Sequence, residues 1–218
     1  MEYNPALGAG LVQQFYDNRD QAAYVSKAAA NPHKDSNIDW SYIKEQEGFE
    51  TTGYVPKNND GSAMGHSGVT VASGFDLGSR TPESLKGLPT AIITKLKPFL
   101  GLKGDTAINK AAQLQLSNEE ANIIDEWAKK DTVEALDKAW KQATGSSFKS
   151  LPKNKATPIA DLVFNHGLKA TKGYNFWKQV TSDNWKAAEK NLRNFGEANA
   201  SLQARRTRAA DYFKKGEI

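Results

Sequence analysis

Apolar side chains recur at helical intervals through most of the chain. From Leu11 to about Ala30 they stand among polar residues, which predicts a helix that Asn31-Pro32 ends. A second helix is predicted from Asp39 to Glu47, with Asn37 or Asp39 as its N-cap and Gly48 in a left-handed conformation just past its end.

Residues 51–80 differ, because they are rich in glycine and carry short β-branched runs. Tyr54-Val55 and Val69-Thr70-Val71 are separated by the turn-forming sequence Asn58-Asn59-Asp60-Gly61. This pattern predicts a small antiparallel hairpin region.

The chain after Thr81 has a helical pattern throughout. A capping box at Ser117-Asn118-Glu119-Glu120 opens a long helix that reaches about Trp140. Thr157-Pro158 predicts a further helix start after a lysine-rich loop at 148–158. The fold class predicted is therefore α+β, a small sheet followed by a mostly helical bundle, with 1–36 as an N-terminal arm and 37–218 as one domain.

Composition narrows the possible partners and chemistry. The 218 residues include 29 basic and 25 acidic side chains, a net charge of +4, which favours an anionic partner such as nucleic acid or a bacterial wall polymer. Cysteine is absent, which excludes disulfides and thiol nucleophiles. No apolar run is long enough to cross a membrane, and the N-terminus lacks a basic segment. We expect synthesis in the cytoplasm without a signal peptide.

Glu47 is the first candidate for chemistry, at the entrance to the hairpin region. At the C-terminal end of a helix, a carboxyl group meets the negative end of the macrodipole, which raises its pKa and suits a general acid. The alternative is an ordinary surface glutamate.

Thr70 and Asp76 are six residues apart. An unbroken strand would separate them by roughly 20 Å, too far for one water molecule to touch both. They can cooperate only if the chain turns between them, and Ser73-Gly74 offers such a turn. The alternative is a strand threonine and an aspartate that caps its own turn.

Other motifs predict less. Gly65-His66-Ser67-Gly68-Val69 lacks the second glycine that a nucleophile elbow needs at position 69. The histidines have no zinc-binding spacing, so we expect no metal and no cofactor. Arg205-Arg206-Thr207-Arg208 is compatible with a nucleic-acid stripe, a solvated helix face or an arginine buried beside a carboxylate.

The segment from Glu47 to Gly78 resembles the active-site segment of phage-type lysozymes. Glu47-Gly48, then Tyr54, then Gly68-Val69-Thr70 and Gly74 follow that pattern. Ser67-Gly68-Val69-Thr70 with Ser73-Gly74-Phe75-Asp76-Leu77-Gly78 is closer still to the lysozyme-like domain of pesticin-type toxins and secreted antibacterial effectors. Asp161-Leu162-Val163-Phe164-Asn165-His166-Gly167 and the last helices extend the resemblance over roughly residues 38 to 215.

The resemblance implies roles for individual residues. Glu47 would be the general acid, and Thr70 and Asp76 would hold the attacking water. Most phage enzymes carry the aspartate before the threonine, where this chain has no acid; Asp60 is the nearest substitute and is kept as the alternative to Asp76. Tyr54, Asn165 and His166 would contact the saccharide.

Arg205 aligns with an arginine that pairs with the catalytic glutamate in that family, so the resemblance pairs it with Glu47. Such a pair lowers the pKa of the acid, against the effect of the helix dipole. Which effect is larger is open at the level of sequence.

The expected activity is that of a muramidase that cleaves the β-1,4 bond between N-acetylmuramic acid and N-acetylglucosamine in peptidoglycan and lyses bacteria, as a phage endolysin or an antibacterial toxin. A lytic transglycosylase and a non-catalytic wall-binding module are the alternatives. We expect a monomer that acts in the periplasm and cell wall, with an immunity protein or secretion machinery as further partners, and neither nucleic-acid binding nor membrane insertion.

Overall fold

The computed structural model describes residues 36–58, 60–196 and 200–215. The helix predicted near Leu11–Ala30 lies outside these ranges, and the arm at 1–36 stays a prediction. Contacts between Cα atoms divide the described residues into two units. We call Gly48–Ala128 the sheet unit, and residues 36–47 with 129–215 the helical unit.

The sheet unit is built on three antiparallel strands. Strand β1 is Glu50–Tyr54, β2 is Thr70–Ala72 and β3 is Phe75–Asp76, in the order β1-β2-β3. The β-branched runs predicted β2 and the end of β1, whereas β3, which has no β-branched residue, was not predicted as a strand. Val69, Val71 and Leu77 are fully buried beneath the hairpin, so the sheet has one face in the core of this unit.

Short helices complete the sheet unit. They are the 3₁₀ turn Pro82–Leu85, α2 (Thr90–Leu96), the 3₁₀ turn Lys97–Phe99, α3 (Gly104–Lys110), the 3₁₀ turn Ala111–Gln113 and the beginning of α4 (Asn118–Thr144). The predicted capping box opens α4, because Ser117 Oγ accepts from the Glu120 amide at 3.2 Å and Glu120 Oε2 accepts from the Ser117 amide at 2.8 Å.

The helical unit is formed by two segments of the chain, one that precedes the sheet unit in sequence and one that follows it. It holds α1 (Trp40–Lys44), residues 129–144 of α4, the 3₁₀ turn Phe148–Ser150, α5 (Lys153–His166), α6 (Leu168–Gly173), α7 (Asn175–Thr181), α8 (Trp185–Arg193) and α9 (Ala200–Phe213). Its core is built on fully buried apolar side chains that include Leu136, Phe148, Ile159 and Phe176. Helix α9 packs against α5 and α8, so its basic face lies partly inside the fold. The α+β prediction is confirmed.

Two helix boundaries differ from the prediction. Helix α1 ends at Lys44, three residues early, and Glu47 N–H bonds to the Lys44 carbonyl in a tighter turn. Gly48 does not adopt the left-handed conformation predicted for it.

The other difference concerns Pro158, which lies inside α5 rather than at its start. The helix begins at Lys153, so the prediction of a loop across 148–158 was wrong over its second half. Because proline has no N–H, Pro158 removes one helical bond to the carbonyl four residues earlier, which the rest of this buried helix tolerates.

Candidate functional site

In the sheet unit, Tyr54, Thr70 and Asp76 form one row across the three strands, which we call the hairpin row. Thr70 is opposite Tyr54 on β1 and opposite Asp76 on β3. Paired residues of antiparallel strands have Cα atoms about 4.5–5.5 Å apart and side chains on the same face. The turn between β2 and β3 therefore brings Thr70 and Asp76 together, although the extended chain would hold them apart.

A buried hydrogen-bond pair holds that turn. Ala72 and Gly74 both have positive φ, of 54° and 83°, and a non-glycine residue in this region is strained. Ser73 lies between them, and Asp125 on α4 accepts from its amide at 2.9 Å and from its hydroxyl at 2.5 Å. Both Ser73 and Asp125 are buried. The prediction of a turn at Ser73-Gly74 did not include Asp125, which fixes it.

Main-chain amides orient Asp76. Its Oδ1 accepts from Gly78 N–H at 2.6 Å and from Gly68 N–H at 3.1 Å. The two glycines are in such close contact that a Cβ on Gly68 would lie 2.3 Å from Gly78 Cα. Only glycine allows this approach, so the glycines of the Ser67–Thr70 and Ser73–Gly78 motifs form the cradle of the carboxylate.

Thr70 is 3% exposed, and its hydroxyl donates to the Gly68 carbonyl at 3.2 Å. A hydroxyl that has donated its hydrogen can still accept through its lone pairs. Thr70 and Asp76 are thus paired in register, and both offer acceptor oxygens.

Asp60 lies in an exposed turn between β1 and β2. Its Oδ1 accepts from the amide and the hydroxyl of Ser62, at 2.9 and 2.6 Å. These bonds lower the pKa of Asp60 and use the carboxylate to shape its own loop. Asp76, and not Asp60, is opposite Thr70 in the sheet.

In the helical unit, Glu47 and Arg205 are brought together across 158 positions of sequence. Arg205 Nη2 donates to Glu47 Oε1 at 2.5 Å, and the two side chains are only 6% and 14% exposed. The position of Glu47 in the turn after α1, and of Arg205 on α9, makes this pair possible. Gln46, the neighbour of Glu47, accepts from Arg208 on the same helix at 2.5 and 3.0 Å.

Asp161 and Arg206 complete this group, and the sequence reasoning assigned no role to either. Asp161 on α5 accepts from Arg205 at 2.7 Å and from Arg206 Nη1 at 3.0 Å, and both Asp161 and Arg206 are fully buried. We call Glu47, Arg205, Asp161 and Arg206 the charged network. The signal that could have found Asp161 is a lone carboxylate in the apolar stretch from Pro158 to Phe164.

The charged network leaves the pKa of Glu47 above its ordinary value. Burial, which disfavours the carboxylate, is the largest cause, while the charge and hydrogen bond of Arg205 oppose it. Burial also disfavours the charged form of Arg205, but Asp161 and then Glu47 raise its pKa above the usual value. The cause that outweighs the guanidinium is therefore desolvation, which the sequence analysis did not weigh against the helix dipole and Arg205.

Asn165 and His166 end α5 on the same unit. The Asn165 side chain is exposed and accepts from Arg206 Nη2, so it adjoins the charged network. His166 Nδ1 lies 2.9 Å from the Tyr174 hydroxyl, and its ring packs edge-on against Tyr174 and Phe195. The three aromatic rings are partly exposed.

Two negative observations apply to the part of the chain that the structure describes. No three His, Cys, Asp or Glu residues there are grouped so that they could hold a metal ion. None of its helices combines the length and the apolar composition that crossing a membrane requires.

Comparison with known proteins identifies relatives of the chain. Residues 37–186 match the family model described as "Pesticin: Bacterial toxin homologue of phage lysozyme, C-term". No curated protein sequence matches the chain.

Solved structures include two similar chains. The muramidase domain of SpmX from Asticaccaulis excentricus is 16% identical, with a TM-score of 0.48, over 79% of this chain and 92% of that one. An endolysin from Escherichia coli O157:H7 phage FAHEc1 is 18% identical, with a TM-score of 0.47, over 79% of this chain and 88% of that one. At this level of similarity, neither structure bears on the activity of this chain.

Proposed function

Since the chain belongs to the family of pesticin, the bacterial toxin homologue of phage lysozyme, we propose that it is a muramidase. It hydrolyses the β-1,4 bond between N-acetylmuramic acid and N-acetylglucosamine in peptidoglycan. The observation that carries this proposal is Glu47, a largely buried carboxyl with a raised pKa and a guanidinium in direct contact. A carboxyl group that binds its proton more tightly than usual suits the donor that a leaving glycosidic oxygen needs.

In the proposed reaction, Glu47 protonates the glycosidic oxygen as the bond to the anomeric carbon breaks. The carboxylate that remains is then paired with Arg205, whose Nη2 is already in hydrogen-bond contact with Oε1. The charge that develops on Glu47 is therefore stabilised by a donor that needs no rearrangement.

The attacking water is assigned to Thr70 and Asp76. A water molecule that donates one hydrogen to each of these acceptors turns its lone pair away from both, toward a reacting carbon. Their pairing across β2 and β3 and the fixed orientation of Asp76 support this assignment. Asp76 takes the proton as the water attacks, and a water delivered in this way gives inversion at the anomeric carbon.

Saccharide contacts are proposed for Tyr54 in the hairpin row and for Asn165 and His166 at the end of α5. The net charge of +4 suits an anionic wall polymer. We further propose that the chain acts on the wall from the periplasm as a lytic toxin or endolysin, as a monomer, and that an immunity protein or secretion machinery is its protein partner.

The test is loss of turbidity of purified peptidoglycan with wild type, Glu47→Gln and Asp76→Asn, followed by mass analysis of the released fragments. Both variants are expected to lose at least about a hundredfold in rate, the scale of a general acid or base. Asp60→Asn is the matched control, since Asp60 is a carboxylate of the same unit that is engaged in its own turn, and it should retain activity.

The fragments separate the alternatives. Reducing muramic ends with inverted configuration support the muramidase, whereas anhydro-muropeptides would identify a lytic transglycosylase. An inert wild type that still binds peptidoglycan would leave a binding module. Activity that survives Asp76→Asn but not Asp60→Asn would assign the water to Asp60.

A further inference from the structure

Among the described residues of the helical unit, Asp161 and its partner Arg206 are charged side chains with no exposed surface. Asp161 lies on α5, and both of its carboxylate oxygens are used. Oδ1 accepts from Arg205 Nε at 3.0 Å and from Nη2 at 2.7 Å, and Oδ2 accepts from Arg206 Nη1 at 3.0 Å and from Arg205 Nε at 3.3 Å. A carboxylate is rarely kept in such a position without partners of this kind.

Arg205 therefore serves two carboxylates at once. Its Nη2 donates to Asp161 Oδ1 and to Glu47 Oε1, while its Nε is directed at Asp161 alone. The guanidinium group is thus held mainly by Asp161, and Glu47 accepts a single hydrogen bond from its Nη2. Two carboxyl groups and two guanidinium groups share the charged network.

From this geometry we propose that Asp161 is a positioning residue for Glu47. Asp161 fixes the orientation of the Arg205 guanidinium and offsets most of its positive charge. Glu47 can therefore carry a proton although an arginine lies beside it. The proposal rests on the function proposed above, in which Glu47 is the general acid. Without Asp161, an undivided positive charge would lie against Glu47 and hold it as the carboxylate.

The charges that act on Glu47 support this assignment. Arg205 and Arg206 on α9 favour its ionised form and Asp161 on α5 disfavours it, while burial disfavours it more than any of them. Arg208, on the same face of α9, is engaged by the uncharged Gln46. Asp161 is thus the negatively charged residue of the charged network whose effect on the pKa of Glu47 is opposite to that of the two arginines.

The experiment is Asp161→Asn, measured as the pH profile of peptidoglycan hydrolysis and as the titration of the Glu47 carboxyl carbon by ¹³C NMR. Asparagine keeps an acceptor for Arg205 but removes the negative charge. The alkaline limb of the pH profile is the range in which activity falls because Glu47 loses its proton. In Asp161→Asn this limb should move to lower pH, so that hydrolysis at a fixed pH on the limb is about tenfold slower than in wild type. The Glu47 titration should move in the same direction.

Asp137→Asn is the matched control. Asp137 is also an aspartate of the helical unit with 14% side-chain exposure; it pairs with Lys141 and accepts from Ser147 and Phe148. It is not among the groups that act most strongly on Glu47. This variant should lose stability without moving the alkaline limb. If Asp161→Asn behaves in the same way, the proposal is overturned and Asp161 only supports the fold.

Arg206→Gln is the second variant, for the case that Asp161→Asn does not fold. It removes a cation but leaves a side-chain amide that can donate to Asp161. The charged network then holds less positive charge, so the alkaline limb and the Glu47 titration should move to higher pH. A limb that stays in place or moves down contradicts the proposal.

The NMR titration also separates this inference from the function on which it rests. If wild type hydrolyses no peptidoglycan, the proposed function fails, yet the Glu47 carboxyl still reports whether Asp161 controls it. If hydrolysis is normal and the Glu47 titration ignores Asp161, the function stands and the inference fails.

Discussion

Asp76 in the sheet unit and Glu47 in the helical unit are both carboxyl groups proposed for one reaction, but different kinds of partner hold them. Asp76 accepts from two uncharged main-chain amides, at positions 68 and 78. Glu47 is bound by the charged side chain of Arg205, 158 positions away in sequence. Backbone donors fix the direction of an acceptor, whereas a charged partner also sets how strongly the group holds its proton.

The comparison teaches to which changes each of the two carboxyl groups is vulnerable. The donors to Asp76 are main-chain amides, so their positions are disturbed by substitutions that push the main chain apart, above all an added side chain at a glycine. Because the surroundings of Glu47 are made of charges, they respond to pH and to removal of a single charge. The predictions below test this division.

The largest effect is expected from Gly68→Ala. The new Cβ would lie 2.3 Å from Gly78 Cα and 2.5 Å from the Leu102 carbonyl oxygen, and backbone cannot move aside cheaply. We expect a loss of about 3 kcal/mol in the free energy of unfolding and loss of hydrolysis, measured by urea denaturation and the turbidity assay. Gly173→Ala, where nothing lies within 4 Å, is the control and should change neither property by much. An equal loss in both variants would mean that the glycine contact does not hold the cradle.

Ser73→Ala tests the turn that carries the hairpin row. It removes the hydroxyl bond to Asp125 and leaves a buried carboxylate oxygen with one donor fewer. A hydrogen bond to a charged group contributes about 1.5–3 kcal/mol, so we expect a loss of about 2 kcal/mol by urea denaturation. Ser62→Ala, which removes an exposed bond to Asp60, should cost much less. A negligible loss in Ser73→Ala would show that main-chain geometry alone holds this turn.

The smallest effect is expected from acid titration of Asp39, the N-cap of α1. Its pKa is lowered to about 2, mainly by the Ser41 hydroxyl, with a further bond from the Tyr212 hydroxyl at 2.7 Å. A carboxyl whose pKa is lower in the folded state stabilises the fold above its unfolded pKa of about 4, and that stability is lost as the pH falls toward 2.

Since Asp39 is partly exposed, its contribution is discounted to about 1 kcal/mol. We expect Asp39→Asn to be less stable than wild type at pH 6 and to approach it at pH 2, as measured by thermal unfolding at several pH values. A difference between the two proteins that is constant with pH would assign the effect to capping alone and weaken the contrast between charge-held and backbone-held regions.

The sequence predicts what short-range rules determine. Short β-branched runs and glycines predict the hairpin region, and the capping box at Ser117 opens α4 where predicted, because each depends on residues a few positions apart. The end of α1 and the start of α5 were misplaced, since tertiary packing extends or shortens helices beyond local propensity.

The site divides in the same way. The resemblance supplied Glu47, Thr70 and Asp76, and a turn between the last two could be argued from chain geometry alone. The roles of Asp125 and Asp161 could not, because a carboxylate on a helix has the same local pattern whether it is solvated or buried against a distant partner. Their partners are 52 and 44 positions away.

The long separation between Glu47 and Arg205 has a consequence for biosynthesis. A ribosome delivers the sheet unit, with Thr70 and Asp76, well before it has translated α9, and domains tend to fold in the order in which they emerge. Glu47 leaves the ribosome before any of those residues, yet its guanidinium partner arrives more than 150 codons later. The proposed acid is therefore without its electrostatic setting until α9 has been translated, and a nascent chain stalled just before Arg205 would carry a finished hairpin and no working proton donor.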